Sequence, residues 1–465
     1  MPQNNTRMYT FPNGLRLVYE PHPSNIPQTH IRAFCHVGSI HEPDNIRGAS
    51  HFIEHMCFKG SCSFPSWSAV NEPFSSSGSN FNATTTKQYT CFIVDCLDSY
   101  VSKFLTILGD MMLRSKFDRK EYNIELNVVR EETAMKLPDS FIENLAFKGT
   151  VYENWVDHNS YHKPGCLPYD DVIEFYHQYY KPNNIVLSVV SSISFNTILR
   201  YISSTSFIRH HSRCGNTKIN TSPIQNHNIG ALESNCNSNH MIIPSKSKTT
   251  HIEIGVRVCD QTSDDVYVLD VLRHIISESM SSRLFVELRE KRGLTYRSGS
   301  YMTLYENGGI FVLYAKSDVS RLLKDGKKTR SKLRHIDRRK TRTHTQSYNH
   351  SKPGVLPVIL NILDDLIKNG IKDSELKMAK QHIKESLKMN SIAGGDKSHY
   401  NGIRMMLHNK TDITPNEEVF STFYKSITKS DVNAIIHKYF ASRNYYFSAI
   451  GGKLPKSSML VELLL

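Results

Sequence analysis

One feature constrains the fold of this chain more than any other. A long polar stretch, residues 205–248, rich in Asn, Ser and His and lacking hydrophobic periodicity, separates two halves that run in the same order. Ahead of it, residues 12–40 read as two strands around the Asn13-Gly14 turn, and a helix follows from about Arg47 to Phe58. The β-rich Tyr89–Val94, helical spacing over Ser99–Leu113, Arg119–Met135 and Tyr169–Tyr180, and the strand Ile185–Val190 complete this half. Beyond it come a strand at Ile252–Val258, a helix at Asp265–Ser277, the run Arg283–Tyr296 and a strand at Ile310–Ala315. Helices at Leu356–Lys368, Asp373–Met389 and Ser430–Phe440 precede a last strand, Tyr445–Ile450. The parallel order points to an internal duplication and to an α/β (α+β) protein, and 465 residues are too many for one ordinary core. The expected domains are 1–210 and 249–465, joined by a polar linker, 211–248.

With 39% hydrophobic and 22% charged residues, the chain has the composition of a soluble globular protein. No apolar run approaches the roughly 18 residues of a membrane span. The opening Met1–Arg7 is polar and lacks the apolar core of a signal peptide. Nine scattered cysteines without a CxxC pair read as reduced thiols, hence a cytoplasmic or other reducing intracellular compartment. The net charge of +13 is local: Arg321–Lys352 holds twelve Lys/Arg against Asp325 and Asp337, a net of +10 that leaves +3 for the rest. A solvated loop inserted at 321–352 is the simpler reading, and an anionic partner there is the alternative.

The chemical signal is His51-Phe-Ile-Glu54-His55. On a helix, residues four apart stack on one face, so both imidazoles aim at one point. Imidazole is a good zinc ligand, and Glu54, nearly on the same side, reaches a metal-bound water without taking a coordination site. With 22 His in the chain, chance alone yields such a pattern in about one chain in twenty, so a third ligand must corroborate it. The helix Arg119–Met135 offers one. On a helical wheel Glu125, Val128, Val129 and Glu132 share a face while Glu131 points away, and carboxylates beside valines on a core-facing stripe need a cation or strong donors. Glu132 as ligand and Glu125 as the partner that orients one meet that need. An ordinary exposed acidic helix is the bland alternative.

These residues resemble the pitrilysin/insulinase family of zinc metallopeptidases, whose HxxEH motif inverts the common HExxH and which includes the mitochondrial processing peptidase. The likeness extends through Gly48–Gly60 (GASHFIEHMCFKG) and Val128–Glu132 (VVREE), with 76 residues between His55 and Glu132. Phe11–Arg16 (FPNGLR) resembles the opening strand and Tyr179–Asn184 (YYKPNN) the end of the first domain; Ser281–Tyr296 (SSRLFVELREKRGLTY) is the most specific match in the second half. The resemblance implies two similar domains, each a mostly antiparallel sheet packed with helices, facing each other across a substrate chamber. It implies one zinc per chain on His51, His55 and Glu132, with Glu54 as general base. It assigns substrate binding to Asn82 and Ala83 on an edge strand and to Arg289 and Tyr296 in the second domain. The expected activity is endopeptidase cleavage of peptides or unfolded segments, and family members of this length pair as homo- or heterodimers.

Two features depart from the family: the basic insertion, and a polar linker longer than usual. The second half has His274 and Glu278 but no second His, as a non-catalytic domain would, and Ile276–Met280 lacks the glycines of the processing peptidase's non-catalytic subunit. A catalytic type is therefore expected; a non-catalytic scaffold of the same fold is the competing reading. Cys57 and Cys62 read as packing residues, His158 and His162 as surface loop, the adjacent His210 and His211 as divergent, and Phe175–Tyr180 as helix core.

Overall fold

The computed structural model describes residues 6–22, 27–135, 141–153, 165–209, 239–323, 353–390, 394–407, 414, 416–452 and 454. They form two compact units, Met1–Asn235 with Tyr305–Asn307 and Lys384–Lys425, and Cys236–Leu304 with Gly308–Ile383 and Ser426–Leu465. The basic residues from 324 to 352, most of the linker, and His158, His162, His210 and His211 lie outside the described residues.

The first unit is built on a six-stranded sheet. Its strands are β1 (Arg7–Thr10), β2 (Arg16–Pro21), β3 (Gln28–Cys35), β4 (Asn80–Thr85), β5 (Thr90–Leu97) and β6 (Ile185–Ser191), in the order β1-β2-β6-β3-β5-β4. The β2–β6 pairing is parallel and the others are antiparallel. Along β3 the side chains alternate between faces. Ile31, Ala33 and Cys35 enter the main core with residues of the helices α1 (Ala49–Cys57), α2 (Trp67–Ser76), α3 (Val101–Leu113) and α4 (Arg119–Met135). Phe34 points the other way, into a cluster with Val18, Val186, Met405 and Met406. A strand covered on both faces accounts for the nearly continuous apolar run in this segment.

The cover on the second face is the helix Gly394–Leu407, which sequence patterning did not reveal. It opens on two glycines, and its buried side includes Lys397 and Asn401, both bonded to Glu20. A Cβ at Gly402 would lie 2.1 Å from Phe34 Cε2, so glycine is what lets this helix approach the sheet. Other elements also escaped the patterning, among them α2, with Pro73 inside it, the strand β1, the helix Phe195–Ser203, and the strand His240–Pro244, which falls inside the stretch expected to be a polar linker.

The second unit repeats the plan. Its sheet runs β7-β11-β8-β10-β9, formed by β7 (His240–Pro244), β8 (Thr249–Val258), β9 (Arg297–Tyr305), β10 (Gly308–Asp318) and β11 (Tyr446–Gly451). Ile252, Ile254, Val256 and Val258 are buried at alternate positions of β8, and Phe311 of β10 meets Phe440 of the helix Lys429–Phe440 edge-on at 5.5 Å. The α/β reading with mixed, mostly antiparallel sheets holds in both units.

Candidate metal centre

α1 begins abruptly. Gly48 takes φ 97°, a left-handed value that favours glycine, and no side chain of the capping residue closes the helix. Glu42 does this from outside the helix, its two oxygens accepting the N–H groups of Gly48 (2.6 Å) and Ser50 (2.7 Å). Burial pushes the Glu42 carboxyl up to about 7, against the pull of those two donors and of Arg47. Phe52, Ile53 and Met56 sink into the core, which leaves His51 and His55, one turn apart, on the face toward α4.

α4 meets this face through Tyr122, Glu125 and Val129, all buried; Tyr122 packs on Phe52 with ring centroids 4.6 Å apart. Val128 departs from the sequence expectation of a core-facing stripe, being 45% exposed. The stripe that faces α1 follows the spacing i, i+3, i+7, which passes Val128 by. Glu132 continues it one turn on.

Three donor atoms converge between the two helices. His51 Nε2 and His55 Nε2 lie 3.2 Å apart, and Glu132 Oε2 is 3.9 Å from the first and 3.5 Å from the second. A triangle with those sides has a circumradius of about 2.1 Å, so a single point lies within zinc-ligand distance of all three. This is the only group of three or more such donors among the described residues. The donor set, two imidazoles and a carboxylate, suits zinc and leaves a fourth tetrahedral position to solvent or substrate.

The second nitrogen of His55 is also occupied. Its Nδ1 lies 2.7 Å from Glu125 Oε1, and Lys59 pairs with Oε2 of the same carboxylate. Burial raises the Glu125 pKa, but the bonds and charges of His55 and Lys59 outweigh it and hold the group below its ordinary value. An ionised Glu125 accepts Nδ1–H from His55, which directs the Nε2 lone pair to the triangle's centre. Glu54 is buried, and Thr85 Oγ1 donates to its Oε2 at 2.5 Å.

Two family models match successive stretches of the chain: Insulinase (Peptidase family M16) over residues 18–137, and the Peptidase M16 inactive domain over 167–339. The chain belongs to peptidase family M16. The first M16 match contains every residue of the triangle. An uncharacterized zinc protease of Bacillus subtilis, YmxG, is 28% identical over 87% of this chain and 89% of its own length. Another, from Streptomyces coelicolor, is 27% identical over 71% and 72%. Among solved structures, a protease from Helicobacter pylori shares the M16 fold with TM-score 0.76 at 17% identity, covering 96% of this chain and 99% of that one. The first half of the periplasmic protease PqqL from Escherichia coli matches at 0.73 and 15%, covering 100% and 97%.

The remaining residues expected to serve an M16 site fall in both units. Asn82 and Ala83 lie on β4, the edge strand of the first sheet, where Asn82 Oδ1 accepts the N–H of Ala83 at 2.8 Å. Arg289 and Tyr296 belong to the second unit; the guanidinium sits over the Tyr296 ring, 4.9 Å from its centroid, and Tyr296 is 86% exposed. Sequence reasoning missed Glu42, Lys59 and Thr85. Lys59 stands one turn after His55 and so was within reach of a helical argument; Thr85 and Glu42 required the tertiary fold. Cys57 is a free, buried thiol in the core, as expected of a packing residue. Cys62 corrects the all-reduced reading, being disulfide-bonded. The aromatic residues Phe175, Tyr176, Tyr179 and Tyr180 are buried. Among the described residues no helix is long and apolar enough to cross a membrane.

Proposed function

We propose that this chain is a zinc-dependent endopeptidase that hydrolyses peptide bonds in peptides or unfolded segments. The observation that carries the reading is the convergence of His51, His55 and Glu132 on one point, with a buried carboxylate, Glu54, on the same helix as the two histidines. His51, His55 and Glu132 hold the ion, and Glu125 with Lys59 sets the tautomer of His55. When bound, zinc supplies the Lewis acidity that makes water reactive near neutral pH and polarises the scissile carbonyl. Glu54 takes the proton of the attacking water on its carboxylate and delivers it to the departing amine. β4 presents an edge to which an extended peptide adds as a further strand, past Asn82 and Ala83, which favours unfolded segments over folded proteins. Arg289 and Tyr296 are assigned to substrate binding by family resemblance, as are pairing with a second subunit and, on charge alone, an anionic partner for 321–352.

Glu54→Gln is the test. The variant should retain one zinc per chain, measured by atomic absorption, while cleavage of a mixed peptide library falls by about 10²–10⁴-fold. Full activity in this variant would remove Glu54 from the role of base; a wild-type chain without zinc-dependent cleavage would defeat the reading as a whole.

A further inference from the structure

The general base proposed above is joined to the edge strand by a hydrogen bond. Thr85, the last residue of β4, donates its hydroxyl to Glu54 Oε2 at 2.5 Å. Glu54 is only 8% exposed, so water contributes little to solvating its carboxylate, and a protein donor is needed to offset its burial. Thr85 is suited to be a rigid donor. Its backbone pairs with Thr90 of β5, its branched side chain is stiff at χ1, and Thr90, 3.5 Å away, spends its own hydroxyl proton on the carbonyl of Val37 at 2.9 Å. The terminal torsion of a glutamate, by contrast, is broad and roughly two-fold. A donor fixed in a sheet ladder selects one orientation of that carboxylate. Strand alternation places Ala83 on the same side of β4 as Thr85, so the element that would receive a peptide also holds the base.

We propose that Thr85 is the positioning residue for Glu54, setting the plane of its carboxylate and coupling the base to the substrate-binding edge. The inference rests on the peptidase reading. A hydrogen bond to a charged group is worth enough for removal of the hydroxyl to lower turnover by about 10–100-fold. Thr85→Val, close in shape, should therefore lower kcat by about that factor with KM within about twofold and zinc content unchanged, and Thr85→Ser, which keeps the donor, should recover kcat to within about threefold of wild type. A second readout needs neither metal nor turnover. In metal-free protein, a double-mutant cycle of Thr85→Val and Glu54→Ala, followed by urea unfolding, should show a coupling of about tenfold in the unfolding constant. Wild-type kcat in Thr85→Val, failure of Thr85→Ser to recover, or an uncoupled cycle overturns the assignment. Absence of zinc-dependent cleavage in the wild type sinks the peptidase reading, and the Thr85 role with it, whereas a cleaving wild type beside an equally active Thr85→Val sinks the Thr85 role alone.

Discussion

The two units follow one strand order, β2-β6-β3-β5-β4 in the first and β7-β11-β8-β10-β9 in the second, yet they stabilise charge at the corresponding place by different means. In the first, α1 follows β3 and sets two imidazoles against Glu132. In the second, the helix Asp265–Ile276 follows β8 and carries Asp270, Arg273 and His274. There Arg273 reaches Asp270 at 2.9 Å and Glu278 at 2.6 Å, and His274 Nδ1 is 2.9 Å from the Asp270 carbonyl oxygen. The His274 ring lies 5.2 Å from that of His382, on the helix Asp373–Asn390, which occupies the place of α4 in chain order. A guanidinium between two carboxylates supplies the positive charge from within the protein; two imidazoles and a carboxylate are instead a donor set suited to a metal ion. One scaffold thus carries either an ion-pair cluster or a set of candidate metal donors, according to a few side chains.

The comparison breaks most severely if the first unit is given the chemistry of the second. Glu132→Arg replaces a donor with a guanidinium at the triangle itself. Zinc content should fall from one per chain to nearly none and peptide cleavage by about 10³-fold or more, measured by atomic absorption and library cleavage. Stoichiometric zinc in this variant would remove Glu132 from the ligand set. The next largest effect concerns how each unit anchors its first helix. Asp265 is held below its ordinary pKa because bonds to Lys438 and Tyr439 outweigh its burial, whereas burial lifts Glu42 to about 7. A carboxyl with a raised folded pKa binds more protons in the folded state, so its contribution to stability falls as pH rises from 4.5 to about 7, by about 3 kcal/mol. Urea unfolding of metal-free protein should show that decline in the wild type and a flatter profile in Glu42→Gln. Equal slopes would discount the buried Glu42 as the source.

Much of this was legible in the sequence because the signals were local. The periodicity of Arg119–Met135 gives the bounds of α4, and Asp265–Ser277 overshoots its helix by one residue. The HxxEH spacing needs only helical geometry to place His51 beside His55. Legibility ended where the fold relied on non-local contacts. Gly394–Leu407 looks like a poor helix until Phe34 and Glu20 are set beneath it, and its glycines then become conditions for close approach. Val128 was assigned to the core because a helical wheel shows which residues share a stripe but not which edge of the stripe the neighbouring helix covers. Thr85 and Glu42 meet Glu54 and the start of α1 from other elements, and no spacing rule connects them.

Two smaller effects sharpen the contrast. Glu125→Gln should weaken zinc by about 10–100-fold, read by competition with a chelator, because the amide orients His55 less firmly than a carboxylate does. An unchanged affinity would show that His55 is held by packing alone. In the second unit, Arg273→Met should remove the guanidinium from Asp270 and Glu278, whose side chains are 17% and 31% exposed. Water reaches both carboxylates in part, so the loss should be about 1–2 kcal/mol in urea unfolding, short of the 3–5 kcal/mol of a fully buried pair. The variant should still take up only one zinc, since His274 Nδ1 faces a backbone carbonyl and no third donor converges with its ring and that of His382 among the described residues. A second equivalent of zinc in Arg273→Met would mean that the guanidinium alone keeps the second unit from binding metal, and the two units would then differ by a single side chain.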